Sequence, residues 1–140
     1  MWVIFEGLDK SGKGTLEREF LKATNYKHIV IDRGPVGYAL FDVLLGRVEK
    51  SSAQRWGDLI NDMKKCNDFI VVYCKVPAVV AMQRVAEHNE ECPKYEYDFA
   101  QYFYDLGIKK LYEEEGIKVI TVDTTKTIEE CVELILGGLK

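Results

Sequence analysis

The sequence has no surplus of positive charge: 19 Lys and Arg stand against 23 Asp and Glu, a net charge of −4. That excludes a broad basic surface for nucleic acid or anionic lipid, so any anion must be held in a local pocket. No apolar run approaches the roughly 20 residues that a membrane helix needs. The two histidines, His28 and His88, have no partners at metal-ligand spacing. The four cysteines, Cys66, Cys74, Cys92 and Cys131, are scattered and form no Cys-x-x-Cys pair. With no secretory signal ahead of the first apolar run, they read as reduced thiols in a cytoplasm. What is left is ordinary. A chain of 140 residues, 47% hydrophobic and 30% charged, predicts one soluble domain spanning residues 1–140.

Against that background one stretch is informative. Trp2, Val3, Ile4 and Phe5 form an apolar β-forming run. It feeds the loop Gly7-Leu8-Asp9-Lys10-Ser11-Gly12-Lys13-Gly14-Thr15, and a helical pattern with Leu16, Phe20 and Leu21 follows. Strand, Gly-x-x-x-x-Gly-Lys loop and helix, in that order, make a phosphate cradle. Gly7 and Gly12 allow the backbone to turn and approach an anion. Amides from Lys10 to Thr15, Ser11 included, would point inward as donors, backed by the helix N-terminus. Lys13 would reach the β- and γ-phosphates of a bound nucleotide. The position after Lys13 normally carries Ser or Thr, whose hydroxyl ligates magnesium. Here it is Gly14, with Thr15 next, which points to water-mediated binding of the ion.

Four strand-like runs stand out, at residues 2–6, 28–32, 69–74 and 117–122. The last three are almost continuously apolar, as strands buried on both faces require. Helical patterns lie at 13–24, 36–45, 53–65, 78–90, 97–114 and 128–136. Ser51 or Ser52 is a candidate N-cap, and Thr127 with Glu130 forms a capping box. Alternating strands and helices predict an α/β fold, a doubly wound parallel sheet of about four strands with helices on both faces. The polar stretch 87–95, with Pro93, sits between two helices where a mobile lid would sit. Tyr95, Phe99, Tyr102 and Phe103 fall on one helical face, which reads as core or oligomer contact.

The second strand ends in Asp32-Arg33-Gly34-Pro35. If it neighbours the first, Asp32 lies beside the phosphate loop at the edge where such sheets bind ligands. Asp32 could hold magnesium through water or accept a proton from an attacking oxygen. Arg33 could bridge two phosphates with its planar fork. Thr15 and Asp32 are thus the candidate metal-holding residues.

These motifs resemble those of the thymidylate kinases. Phe5 to Thr15 looks like that family's phosphate loop, and Asp32-Arg33 followed by Tyr38-Ala39 resembles its Asp-Arg motif. Val76-Pro77-x-x-Val80-Ala81-x-x-Arg84 is similar to the step leading to the lid, and Lys94-Tyr95-Glu96 to the lid's short signature. Val122 to Glu129, with Thr125 and Lys126, is similar to the loop that passes the adenine. The resemblance implies a P-loop fold of the nucleotide-kinase type. It implies ATP and Mg2+ as donor and cofactor, transfer to a (deoxy)nucleoside monophosphate (dTMP to dTDP in the family), and a homodimer. It implies that Asp9 hydrogen-bonds the acceptor sugar's 3′-hydroxyl. It also implies contacts to ATP from Arg84, Thr125 and Lys126.

Lys10 stands where one subclass of that family has a catalytic arginine. The stretch 87–94 contains no arginine, so charge at the moving phosphoryl group would be neutralised by Lys10, Lys13, Arg33 and Arg84. The chain also departs from the family. Only Asn25-Tyr26-Lys27 separates the first helix from the Asp-Arg strand, where the family inserts the segment that reads thymine. Tyr38, Phe41, Arg47, Arg55 and Trp56 are the residues available to replace it. Two rival readings remain open, a kinase of a deoxynucleoside or other small hydroxyl compound, and a nucleotide-binding module without turnover.

Overall fold

The computed structural model describes residues 1–47, 52–66, 68–87 and 96–139. The chain runs β1 (Trp2–Gly7), α1 (Lys13–Ala23), β2 (Ile29–Asp32), α2 (Pro35–Leu44), α3 (Ser52–Lys64), β3 (Phe69–Lys75), α4 (Ala78–Glu87) and α5 (Tyr97–Gly107). A short π-helix (Ile108–Glu113) continues α5, and β4 (Val119–Asp123) and α6 (Ile128–Gly138) follow. The four strands form one parallel sheet in the order β2-β1-β3-β4. From β1 the chain passes outward to β2, then returns to β3 on the other side of β1. The switch point therefore lies at the C-terminal ends of β1 and β3, where such sheets open a crevice.

Alternation along β1 and β3 assigns the two faces. Val3, Phe5, Ile70 and Val72 face α1 and α6, with Leu16, Phe20, Val132 and Ile135. Phe20 is fully buried, and a side chain of that size contributes about 1.5–3 kcal/mol by leaving water. Ile4, Val71 and Tyr73 face the other way, onto a cluster with Val36, Leu40, Ile60, Tyr104 and Tyr112. The capping hydroxyl of Thr127 accepts from the Glu130 amide at 3.2 Å, which fixes the start of α6.

Two expectations are corrected. The second and fourth strands are not buried on both faces. β4 is one edge of the sheet, with Thr121 exposed. β2 is the other edge, and Ile29 remains 53% exposed. An apolar run identifies a strand but not the number of its neighbours, and among the described residues β1 is the only partner of β2 in the sheet. On α5 the buried residues are Tyr97, Ala100 and Tyr104, continued by Ile108 and Tyr112. Tyr102 is exposed and Phe99 partly so, so neither is core, while Phe103 packs against the sheet cluster. Both sets have helical spacing, and contact with the sheet cluster selects the first. The expected lid at 87–95 lies outside the described residues except for Glu87, and so do His88, Cys92, Lys94 and Tyr95. Cys66, Cys74 and Cys131 are free thiols. His28 stacks on Phe20 at 5.7 Å, a packing contact. Among the described residues no helix is long and apolar enough to cross a membrane.

Candidate active site

β1 ends at the switch point and the chain turns there through the glycine-rich loop. Gly7 pairs with Cys74 across the crevice. A Cβ on Gly7 would lie 2.7 Å from the Cys74 carbonyl oxygen, so only glycine lets the two strands close here. Gly12 opens α1 with φ 85°, a left-handed conformation that favours glycine. Lys10 and Arg33 also hold positive φ, 64° and 75°. Both conformations are strained for a non-glycine residue, of the kind that clusters at functional sites, and Lys10 borders a cavity.

That cavity, of about 540 Å³, is lined by Asp9, Lys10, Lys13, Thr15, Arg18 and Arg84, with Gly12, Gly14 and Glu87. It lies at the C-terminal edge of the sheet and carries four cationic side chains. Ser11 is the exception among the loop residues. Its side chain is fully buried, and Oγ has no hydrogen-bond partner among the described residues. A smaller cavity of about 180 Å³ adjoins it, sharing Gly12, Thr15 and Arg84 and adding Thr124 and Lys126. Thr125 does not line either cavity. Its amide and hydroxyl donate to Asp123 at 2.9 and 2.6 Å, and hold that carboxyl below its usual range. Arg84 joins the two cavities. Its guanidinium donates to the carbonyls of Lys10 at 2.8 Å and Thr124 at 3.1 Å.

The parallel pairing of β1 with β2 sets Asp32 opposite Phe5 and beside the loop. Lys13 Nζ contacts Asp32 Oδ1 directly. Burial works against the charge on Asp32. The hydrogen bonds from Lys13 and Glu17 and the charges of Lys13 and Arg33 outweigh it, so its carboxyl sits below the ordinary value. Glu17, one helical turn beyond Lys13, shows the opposite. Partial burial and the hydrogen bond and charge of Asp32 push it up to about 8. Its Oε1 is buried without a hydrogen-bond partner among the described residues.

Arg33 leaves β2 toward Asp9, Nη2 to Oδ1 3.7 Å, and its guanidinium lies 4.0 Å above the Phe41 ring. Tyr38 and Trp56 hold parallel rings with centroids 6.3 Å apart. Arg55 lies 5.8 Å from the Trp56 ring, whereas Arg47 pairs with Asp42 at 3.4 Å. Beside this group an apolar cavity of about 420 Å³ runs under α2 and α3, bounded by Trp2, Ile4, Ile31, Tyr38 and Met63, with Arg33 at one end.

Glu6 is a residue that motif reading passes over. It is fully buried at the end of β1. Its carboxylate accepts from the amides of Gly34, Val36 and Gly37 at 2.9–3.0 Å, and from the Tyr112 hydroxyl at 2.6 Å. It thereby caps α2 from outside the helix and fixes the turn that carries Arg33. Burial pushes its carboxyl up, while these four donors pull the other way. Burial and the Glu6 charge push the Tyr112 hydroxyl up as well.

The chain is similar in fold to solved structures of deoxyadenosine kinase from M. mycoides. The form with bound dCTP superposes with a TM-score of 0.72 at 15% identity, over 99% of this chain and 98% of that one. The form with bound dATP gives 0.64 at 18% identity, over 99% of each chain. The form with the products dCMP and a flexible dCDP gives 0.66 at 15%, over 99% and 98%. The chain shares their fold, a four-stranded parallel sheet with helices around it. No protein-family model matches the chain, and neither does any curated protein sequence. At such identity the likeness establishes the fold, and the site must carry the function.

Proposed function

We propose that this protein transfers the γ-phosphoryl group of ATP to a (deoxy)nucleoside monophosphate, in the manner of a thymidylate kinase. The observation that carries the reading is the 540 Å³ cavity at the sheet's switch point, in which Lys10, Lys13 and Arg84 converge beside Asp32. The triphosphate lies along the loop, against Lys13 and the amides of α1's first turn. The adjoining cavity, with Arg84, Thr124 and Lys126, takes the rest of the donor. Nucleotide binding draws Lys13 from Asp32 to the phosphates, leaving the carboxylate free for the metal or the acceptor proton.

Mg2+ prefers hard oxygen ligands and uses one or two carboxylates together with substrate phosphates and water. The donor set fits. Asp32 contacts Lys13, which lines the cavity, and Glu17 beside it has a buried oxygen with no partner among the described residues. Thr15 Oγ1 instead accepts from Arg18 at 3.3 Å, both residues lining the larger cavity. When bound, the ion would neutralise phosphate charge and orient the γ-phosphoryl group.

On the acceptor side, Asp9 orients the sugar hydroxyl while Arg33 pairs with it from behind. Tyr38, Trp56 and Phe41 supply aromatic faces of the kind that hold a base, in place of the missing thymine-reading segment. Positioning and charge neutralisation provide the rate. A second reading, transfer to a deoxynucleoside, is favoured by the deoxyadenosine kinase neighbours. A panel of deoxynucleosides and their monophosphates with γ-labelled ATP separates the two. Labelled diphosphate supports the first reading and labelled monophosphate the second. ATP binding with no labelled product from any acceptor rules out both.

A further inference from the structure

Gly14 removes a metal-binding hydroxyl from the loop, and the structure shows what occupies the space above it. Residues four apart on a helix are neighbours on its surface, and long side chains lean back toward the N-terminus. Arg18 follows Gly14 by four and does this. Its Nη2 donates to Thr15 Oγ1 at 3.3 Å. A Cβ built on Gly14 would lie 3.9 Å from Nη1. The guanidinium therefore sits over the bare backbone of Gly14, at the wall of the cavity it shares with Lys10, Lys13 and Arg84.

Three other cations of this region already have partners. Lys13 rests on Asp32, Arg33 on Asp9 and Phe41, and Arg84 on two carbonyls. Arg18 makes no ion pair within bonding distance among the described residues, and its single hydrogen bond is long and goes to a neutral hydroxyl. A guanidinium has five donors in a planar fork that matches phosphate geometry. Arg18 lines the cavity beside Lys10, Lys13 and Arg84, so donors not spent on Thr15 are available to an anion there.

We infer that Arg18 is a phosphate-binding residue of the donor site. Gly14 and Arg18 act together: the glycine leaves the room, and the guanidinium supplies fixed positive charge near the position where a P-loop normally supports a metal ion through a hydroxyl. The inference rests on the proposed nucleoside triphosphate donor. It deepens that proposal by making triphosphate binding only weakly dependent on metal.

The test is calorimetry of ATP, ADP and AMP binding to the full chain, with EDTA and with Mg2+, for wild type, Arg18→Ala, Arg18→Lys and Lys13→Ala. Arg18 is exposed on α1, and alanine favours helix, so Arg18→Ala should keep the wild-type melting profile. In EDTA, Arg18→Ala should bind ATP about ten- to a hundredfold more weakly, the loss of one or two charge-assisted hydrogen bonds. AMP affinity should change less than about twofold, and Arg18→Lys should recover only part of the loss. Unchanged ATP binding by Arg18→Ala in EDTA, with Lys13→Ala impaired, overturns the inference and leaves the proposed donor standing. An equal loss for ATP and AMP also overturns it. Wild type that binds no ATP overturns both.

Discussion

The hydroxyl of Tyr112 donates to Oε2 of Glu6 at 2.6 Å, in the interior and between residues 106 apart in the chain. This contact joins the end of β1, the π-helix after α5 and the N-terminus of α2. It makes the turn that carries Arg33 dependent on a buried carboxylate. Removing one partner from a buried polar group costs the full desolvation of what is left, about 1–3 kcal/mol. Tyr112→Phe should therefore lower unfolding free energy by about that amount, read from urea denaturation. Glu6→Ala leaves three amides without their shared acceptor and should cost more, about 3–5 kcal/mol. A loss below 0.5 kcal/mol in both variants would rule out the clamp, on the scale of ordinary surface changes.

The pH dependence of stability has a specific source. Burial and Asp32 raise the Glu17 carboxyl to about 8 in the folded protein, from an ordinary value of 4.5. The folded state thus binds this proton more tightly than the unfolded state. The stabilisation is complete below about pH 4.5 and is lost as pH rises through about 8. Glu17→Gln, which cannot ionise, should flatten the melting temperature across that window. Parallel pH profiles of the two proteins would contradict the assignment.

Strands, helices and the phosphate loop were legible because each has a local signature: apolar runs, a period near 3.6, glycines beside a lysine. The placement of Asp32 was legible too, given adjacent β1 and β2. The Glu6–Tyr112 pair was not, since nothing local links residues so far apart. The edge position of β2 escaped because Ile29-Val30-Ile31 looks the same in an edge strand and a central one. Glu17 and Arg18 do leave a signal, each four residues after a loop position of interest, Lys13 and Gly14. On an amphipathic helix, however, charged residues look like a solvated face until the fold sets Asp32 opposite them.

Arg84 ties the helix before the expected lid to Lys10 on the larger cavity and Thr124 on the smaller one through two backbone carbonyls. A planar fork can reach both and a single ammonium cannot. Arg84→Ala and Arg84→Lys should both raise the KM for ATP, by about tenfold, while the fold persists. Full recovery by lysine would show that charge alone, and not the bridge, is what matters. Michaelis–Menten kinetics at saturating acceptor distinguishes these results.

The most direct test is transfer of label from γ-labelled ATP to a nucleoside or nucleoside monophosphate by wild type and by Lys13→Ala. Lys13 is the loop cation that contacts Asp32 and lines the 540 Å³ cavity. Its loss should lower the transfer rate at least about a hundredfold, as expected for removal of a preorganised group that stabilises developing charge. The variant should unfold at close to the wild-type temperature. Lys13→Ala that transfers phosphate as fast as wild type would contradict the account.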